Sequence, residues 1–213
     1  METKTHTQFF IFINGCPGSG KTTLMKKLLP LLIKKGHAFH SIDMGDASKA
    51  HISNDLCFGK ISKSLREDGF PNLVMSSIST INTWFKEHYA KDRHFIVVGS
   101  PYTPQEGWVL REALEKLREK STHNIVYASI ILETQEDVAT DRLNGRPEKR
   151  PGDSIETFRN RFKIWKERTL PSINEFQFSL KIPIDYQVDI DASLNQEDVL
   201  SDTYETVERI MRG

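Results

Sequence analysis

Five consecutive large apolar residues, Phe9-Phe10-Ile11-Phe12-Ile13, lead through Asn14 into the octet Gly15-Cys16-Pro17-Gly18-Ser19-Gly20-Lys21-Thr22. So short a run, apolar at every position, reads as a strand buried on both faces, which requires a sheet covered by helices on each side. The glycines of the octet let the backbone turn so that several N–H groups point at one phosphate group, and the helix that follows adds its positive end. Lys21 supplies a charge for the β- and γ-phosphates, and the Thr22 hydroxyl suits Mg²⁺. A glycine-rich turn with no ligand would match the same spacing. It would not need to sit between a buried strand and a helix start, and that context makes Gly15 to Thr23 the expected ATP-binding stretch. Cys16 reads as a small residue of this loop, with no base beside it in sequence.

Downstream, strand and helix signals alternate. A helix is expected over 21–35, closed by Gly36, with Pro30 predicting a kink or an early stop. Strands are expected at 38–43, 95–98, 125–132 and 187–190, and helices over 106–120 and 196–211. Residues 46–90 read as mainly helical, broken at Gly69-Phe70-Pro71. This order predicts an α/β fold: a doubly wound parallel sheet of about five strands, flanked by helices, with ligands beyond the carboxyl ends of the strands. A single domain over 1–213 is the expectation. Trp84, Phe85, Trp108 and Trp165 have helical spacing and are expected to pack in the core or between helices.

Lys and Arg number 29, and so do Asp and Glu, so no basic surface recommends nucleic acid as a partner. The polar start of the chain and the shortness of its apolar runs argue against a membrane. Cys16 and Cys57 lack zinc-ligand spacing, and a free cysteine in a phosphate loop fits a reducing compartment. A cytoplasmic monomer is therefore expected.

A second basic feature lies at 141–153, where Arg142, Arg146, Lys149 and Arg150 are interspersed with Gly145, Pro147, Pro151 and Gly152. A helix is expected next, with Asp153 as its N-cap and Glu156 completing a capping box. Phe158, Phe162 and Trp165 mark its apolar stripe, with Arg159 and Arg161 off it. Exposed charge runs are commonly solvated and partly paired. Beside a phosphate loop, arginines on a mobile segment can also close over a migrating phosphoryl group and exclude water.

Together these residues resemble the adenylate kinase family and its nucleoside monophosphate kinase relatives, in the form with a short lid. The phosphate loop is similar to G-x-P-G-[SA]-G-K. Gly45-Asp46-Ala47-Ser48-Lys49 falls where the family has G-D-x-x-R, and Val98-Gly99-Ser100-Pro101-Tyr102-Thr103 where it has D-G-[FY]-P-R-[TE]. Arg142, Arg146 and the run from Arg150 through Glu156-Thr157 to Arg161 follow the lid pattern, with Gly152 in place of an aspartate. The resemblance implies a helical acceptor-binding insertion at 44–90 and a lid at 141–153. It further implies that Lys21, Arg146, Arg150 and Arg161 act on the transferring phosphoryl group and that Arg142 packs against the donor base, with ATP and Mg²⁺ as cofactors.

The acceptor side departs from the family pattern. Lys49 and Tyr102 replace two arginines that grip the monophosphate, and Glu106 replaces the glutamine that reads adenine, with Gln105 one residue earlier. Met44 replaces a small residue. Val98 replaces an aspartate of the Mg²⁺ shell, leaving Asp43 or Asp46 as stand-ins. Gly45, Lys49, Gly99, Tyr102, Gln105 and Glu106 are the expected acceptor-binding residues. Two readings follow: phosphoryl transfer from ATP to a nucleoside monophosphate or related small acceptor with altered specificity, or a catalytically weak ATP-binding module that signals to a protein partner through lid closure.

Overall fold

The computed structural model describes residues 6–54, 64–65, 74–90, 92–145 and 154–213, except the side chains of Lys49, 51–54, Val74 and Lys86. The expected break at Gly69-Phe70-Pro71, and Arg146, Arg150 and Asp153, lie outside the described residues.

The strands are β1 (Thr7–Gly15), β2 (Phe39–Asp43), β3 (His94–Val98), β4 (Asn124–Glu133) and β5 (Gln187–Asp191). Between and after them run α1 (Lys21–Lys34), α2 (Met44–Asn54), α3 (Val74–His88), α4 (Pro104–Lys120), α5 (Glu136–Asn144) and α6 (Ile155–Ile164). A π-helical turn, Trp165–Thr169, then leads into α7 (Leu170–Ser179), and α8 (Gln196–Arg212) follows β5. The five strands form one parallel sheet in the order β2-β3-β1-β4-β5. The expected α/β architecture is the observed one.

The central place of β1 explains its unbroken apolar sequence. Phe9, Ile11 and Ile13 point into one core with Leu24, Leu28 and Leu32 of α1 and Val207 and Ile210 of α8. Phe10 and Phe12 point the other way, into a core with Leu110 and Leu114 of α4, Ile81 of α3 and Phe176 of α7. Alternate side chains of a strand face opposite sides of the sheet, so both layers of helices draw on the same five residues. Trp84 and Phe85 pack at the rim of the second core, and Trp165 is buried in a third, between α5 and α7. Trp108 is 54% exposed, outside the cores, and its indole N–H donates to Glu175 across the α4–α7 contact.

Of the kink or early stop expected at Pro30, the early stop does not occur: α1 continues to Lys34. Pro30 is exposed, as is Lys26 one turn before it, so the carbonyl that a proline leaves without its N–H partner faces water. The N-cap of α6 is Ser154, not Asp153, with its hydroxyl accepting from the Thr157 N–H. Gly36 does follow the helix as expected, with φ 94°.

Phe12 is fully buried and meets the Phe176 ring edge-on at 5.0 Å, joining the sheet to α7. Phe12→Ala is expected to destabilise the protein by about 3–5 kcal/mol in urea unfolding. Phe178→Ala, at a side chain 85% exposed on the same helix, is expected to stay within about 0.5 kcal/mol of wild type.

Candidate active site

The chemistry-bearing residues gather at the carboxyl edge of the sheet, where the loops after β1, β2, β3 and β5 meet the base of α5. The phosphate loop begins as β1 ends at Gly15. Two of its glycines are demanded by close approach. A Cβ on Gly15 would lie 2.6 Å from Ser19 Oγ and 2.8 Å from the Leu132 carbonyl oxygen of β4. Gly18 has φ +84°, and a Cβ there would meet the Ala139 carbonyl oxygen of α5 at 2.8 Å. The loop therefore rests directly on β4 and α5, and α1 starts immediately after Gly20.

Lys21 is half-buried, with its ammonium donating to the Gly15 and Cys16 carbonyls at 2.6 and 2.9 Å and to Ser19 Oγ at 3.2 Å. Pro17 is half-buried, and Thr23 is exposed on the first turn of α1. Cys16 is 2% exposed and packs with Ala139, Leu143, Phe158 and Phe162. Burial pushes its thiol up, which keeps it protonated and inert. Its side chain is a structural member of the loop.

The Thr22 hydroxyl donates to Asp43 Oδ2 at 2.8 Å. Asp43 is the last residue of β2, and its Oδ1 accepts from the N–H groups of Gly45 and Asp46 at 2.9 and 3.3 Å. A hydroxyl and a carboxylate side by side are hard oxygen donors of the kind Mg²⁺ takes, so the residues present fit that ion. Val98, where the family pattern has a carboxylate, is buried among apolar residues of the first core.

Arg142, in the last turn of α5, reaches the loop after β5 and donates to the Leu194 carbonyl at 3.1 Å. Arg161, on α6, is half-buried and close enough to Tyr102 to act on its phenol. Burial pushes that phenol up, while the Arg161 guanidinium and the Thr169 hydroxyl pull it the other way.

The loop between β3 and α4 is fixed from inside. Gly99 turns at φ 74°, and its N–H donates to the Ile13 carbonyl at 3.0 Å. Buried Asn14 donates to the Ser100 carbonyl at 3.1 Å. Glu106 is only 3% exposed and has both oxygens engaged. Oε1 accepts from the Ser100 hydroxyl at 3.0 Å and Oε2 from the Tyr102 N–H at 2.9 Å. On the far side, Thr169, which ends the π-helical turn, donates from its hydroxyl to the Tyr102 carbonyl at 3.1 Å. Such turns recur at functional sites because they redirect one residue out of helical register.

The structure thus places Lys21, Thr22, Asp43 and residues 99–106 at the same edge of the sheet, with Arg161 near Tyr102. Gln105 is exposed beside the inward Glu106, Gly45 is exposed at the start of α2, and Met44 is buried in the second core. The Lys49 side chain, with Arg146 and Arg150, lies outside the described residues. Ser100, Thr169 and Asn14 were not singled out from the sequence. Ser100 lay inside a stretch matched to the family pattern, and Asn14 stood out as a polar residue closing an apolar strand. Among the described residues, no helix is long and apolar enough to cross a membrane.

Residues 11–163 match the family model described as AAA domain. The chain is 24% identical over 211 residues to a UMP-CMP kinase of Lentinula edodes, an alignment covering 95% of this chain and 87% of that protein. It is 27% identical to an adenylate kinase of Petrotoga mobilis, over 89% of this chain and 93% of that one. With a uridylate kinase of Saccharomyces cerevisiae it shares 26% identity, over 92% and 89% of the two chains.

Burial pushes the Glu106 carboxyl above its ordinary 4.5, against the Tyr102 N–H and the Ser100 hydroxyl. The folded protein then holds this proton more tightly than the unfolded chain. The stability Glu106 contributes is fully present below about 4.5 and is lost as pH rises through its folded value. Glutamine has the shape of the protonated acid and does not titrate, and the Ser100 hydroxyl can reverse to accept from its amide. Urea unfolding of wild type and Glu106→Gln is expected to show the difference shifting in the variant's favour as pH rises above 4.5. A difference that stays flat with pH contradicts this account.

Proposed function

We propose, since this chain belongs to the AAA-domain family and to the nucleoside monophosphate kinases, that it transfers the terminal phosphoryl group of ATP to a nucleoside monophosphate other than AMP. The observation that carries the donor half is the phosphate loop seated on β4 and α5, with Lys21 and Thr22 opening α1. Phosphoryl transfer asks for positive groups around the moving phosphoryl and for exclusion of water, more than for covalent help.

In this reading the loop's backbone N–H groups, from Gly15 to Thr23, hold the β-phosphate, and Lys21 turns from the Gly15 and Cys16 carbonyls to the γ-phosphate. Thr22 would hold Mg²⁺, which would supply neutralising positive charge to the triphosphate. Arg142 offers a flat guanidinium to the donor base, anchored on the Leu194 carbonyl. Arg146, Arg150 and Arg161 surround the phosphoryl group when the lid at 141–153 closes. The protein acts as a cytoplasmic monomer.

The acceptor half is where specificity changes. Glu106 stands where an adenine-reading side chain would, yet its two oxygens serve Ser100 and Tyr102. It braces the loop instead of reading a base. Tyr102 brings an aromatic face and a hydroxyl in place of a phosphate-gripping arginine, leaving the acceptor phosphate to Lys49, Gly45 and Gly99. Exposed Gln105 is the side chain available to an acceptor base. The named relatives are kinases, UMP-CMP and uridylate kinases among them, which favours transfer over an ATP-binding role that only signals through lid closure.

ADP formation with AMP, UMP, CMP, GMP and dTMP as acceptors tests the reading. An unmatched acceptor base leaves a hydrogen-bonding group in the site unpaired, a difference of about 1–3 kcal/mol. AMP is therefore expected to fall about tenfold below the best acceptor in kcat/KM. Lys21→Ala is expected to lower kcat with that acceptor by about 100-fold or more. Turnover with none of these acceptors would refute the assignment.

A further inference from the structure

Resemblance places a metal-organising aspartate at the end of β3, where this chain has Val98. That position cannot supply a polar group by rearrangement. Val98 is 1% exposed and packs with Ile13, Leu24 and Leu28 in the first core. The neighbouring strand supplies one. In the parallel pairing of β2 with β3, Asp43 lies directly opposite Val98, and Val98 in turn lies opposite Ile13 of β1. The carboxylate has the same depth along the sheet as the missing one, displaced sideways by one strand.

Three donors fix it there: the Thr22 hydroxyl on Oδ2, and the Gly45 and Asp46 N–H groups on Oδ1. Thr22 is the residue whose hydroxyl the phosphate-loop pattern assigns to Mg²⁺. We propose that Asp43, at the end of β2, orders the Mg²⁺ of bound ATP together with Thr22, in place of a carboxylate at position 98. The inference rests on the reading of the chain as an ATP-dependent kinase. Asp43 acts as a positioning residue, and the choice between it and Asp46 follows from the geometry. Asp46 is exposed and enters this network through its backbone N–H.

Two substitutions separate the charge from the local fold. Asp43 accepts from the first N–H groups of α2, as an N-cap does, and both asparagine and serine are strong N-caps without charge. Asp43→Asn and Asp43→Ser are thus expected to leave α2 in place, checked by thermal unfolding. The probe is Mn²⁺ with the β,γ-imido analogue of ATP on the full chain, free Mn²⁺ being read by electron paramagnetic resonance. Removing a group that orients a metal ligand costs about 10–100-fold in metal affinity. Each Asp43 variant is expected to show a loss of that size in Mn²⁺ affinity, with metal-free binding of the analogue unchanged and Asp46→Asn at the wild-type value.

Asp43 variants that bind Mn²⁺ as tightly as wild type, or a loss that follows Asp46→Asn instead, overturn the inference and leave the kinase reading standing. A wild-type protein that binds no ATP analogue overturns both. If neither Asp43 variant folds, electron–nuclear double resonance on bound Mn²⁺ in Asp46→Asn protein labelled with ¹³C-carboxyl aspartate decides the matter. A ¹³C coupling is the expected result, and its absence overturns the inference.

Discussion

Close approach of backbone to backbone at the phosphate loop governs the carboxyl edge of this sheet. Gly15 lies against β4 and Gly18 against α5, each at a distance that leaves no room for a Cβ. That seating sets the height of Lys21 above the strands and fixes α5 relative to the loop. Arg142 rides on α5. Cys16, turned into the cluster with Phe158 and Phe162, ties the same loop to α6 and so to Arg161. Protein interiors are packed too densely for such a contact to yield by half an ångström without moving its neighbours. Arg142 and Arg161 are thus registered to the phosphate loop through packing.

The loop after β3 is organised differently, by a buried polar network. Asn14, Ser100, Glu106, Tyr102 and Thr169 link the end of β1, the β3–α4 loop, the first turn of α4 and the π-helical turn before α7. A network of this kind rigidifies when every member is satisfied and is costly when one is not. Both oxygens of Glu106 have donors, so the carboxyl works as a brace. Its hydrogen-bonding capacity is directed inward, to Ser100 and Tyr102, while Gln105 beside it faces solvent.

The parts legible from sequence were those set by local pattern. The apolar run of β1 announced a strand covered on both faces, and the glycines before Lys21 announced a backbone that must approach its neighbours closely. What was not legible depended on phase and register. Ser154 and Asp153 are equally good N-caps on chemistry alone, and only the turn that α6 makes selects Ser154. Pro30 read as a kink or an early stop because its ring costs a hydrogen bond, but its exposure in α1 lets water take the carbonyl left unpaired, and the helix runs on. Which of Glu106 and Gln105 turns inward was not legible, because Thr103 caps α4 and the cap sets which of two adjacent side chains is buried. Asp43 and Asp46 could not be separated without the pairing of β2 with β3.

That pairing has a mechanical consequence as well as a chemical one. Asp43 touches both Thr22 and α2, because β2 runs straight into α2 at Met44. One of its oxygens holds the Thr22 hydroxyl and the other holds the first turn of α2. Moving the carboxylate one strand outward also frees position 98 for valine, which extends the first core to the edge of the sheet. While these hydrogen bonds persist, Thr22 and the start of α2 are not free to shift independently. The first threonine after Lys21 and the first turn of α2 are joined through a single side chain.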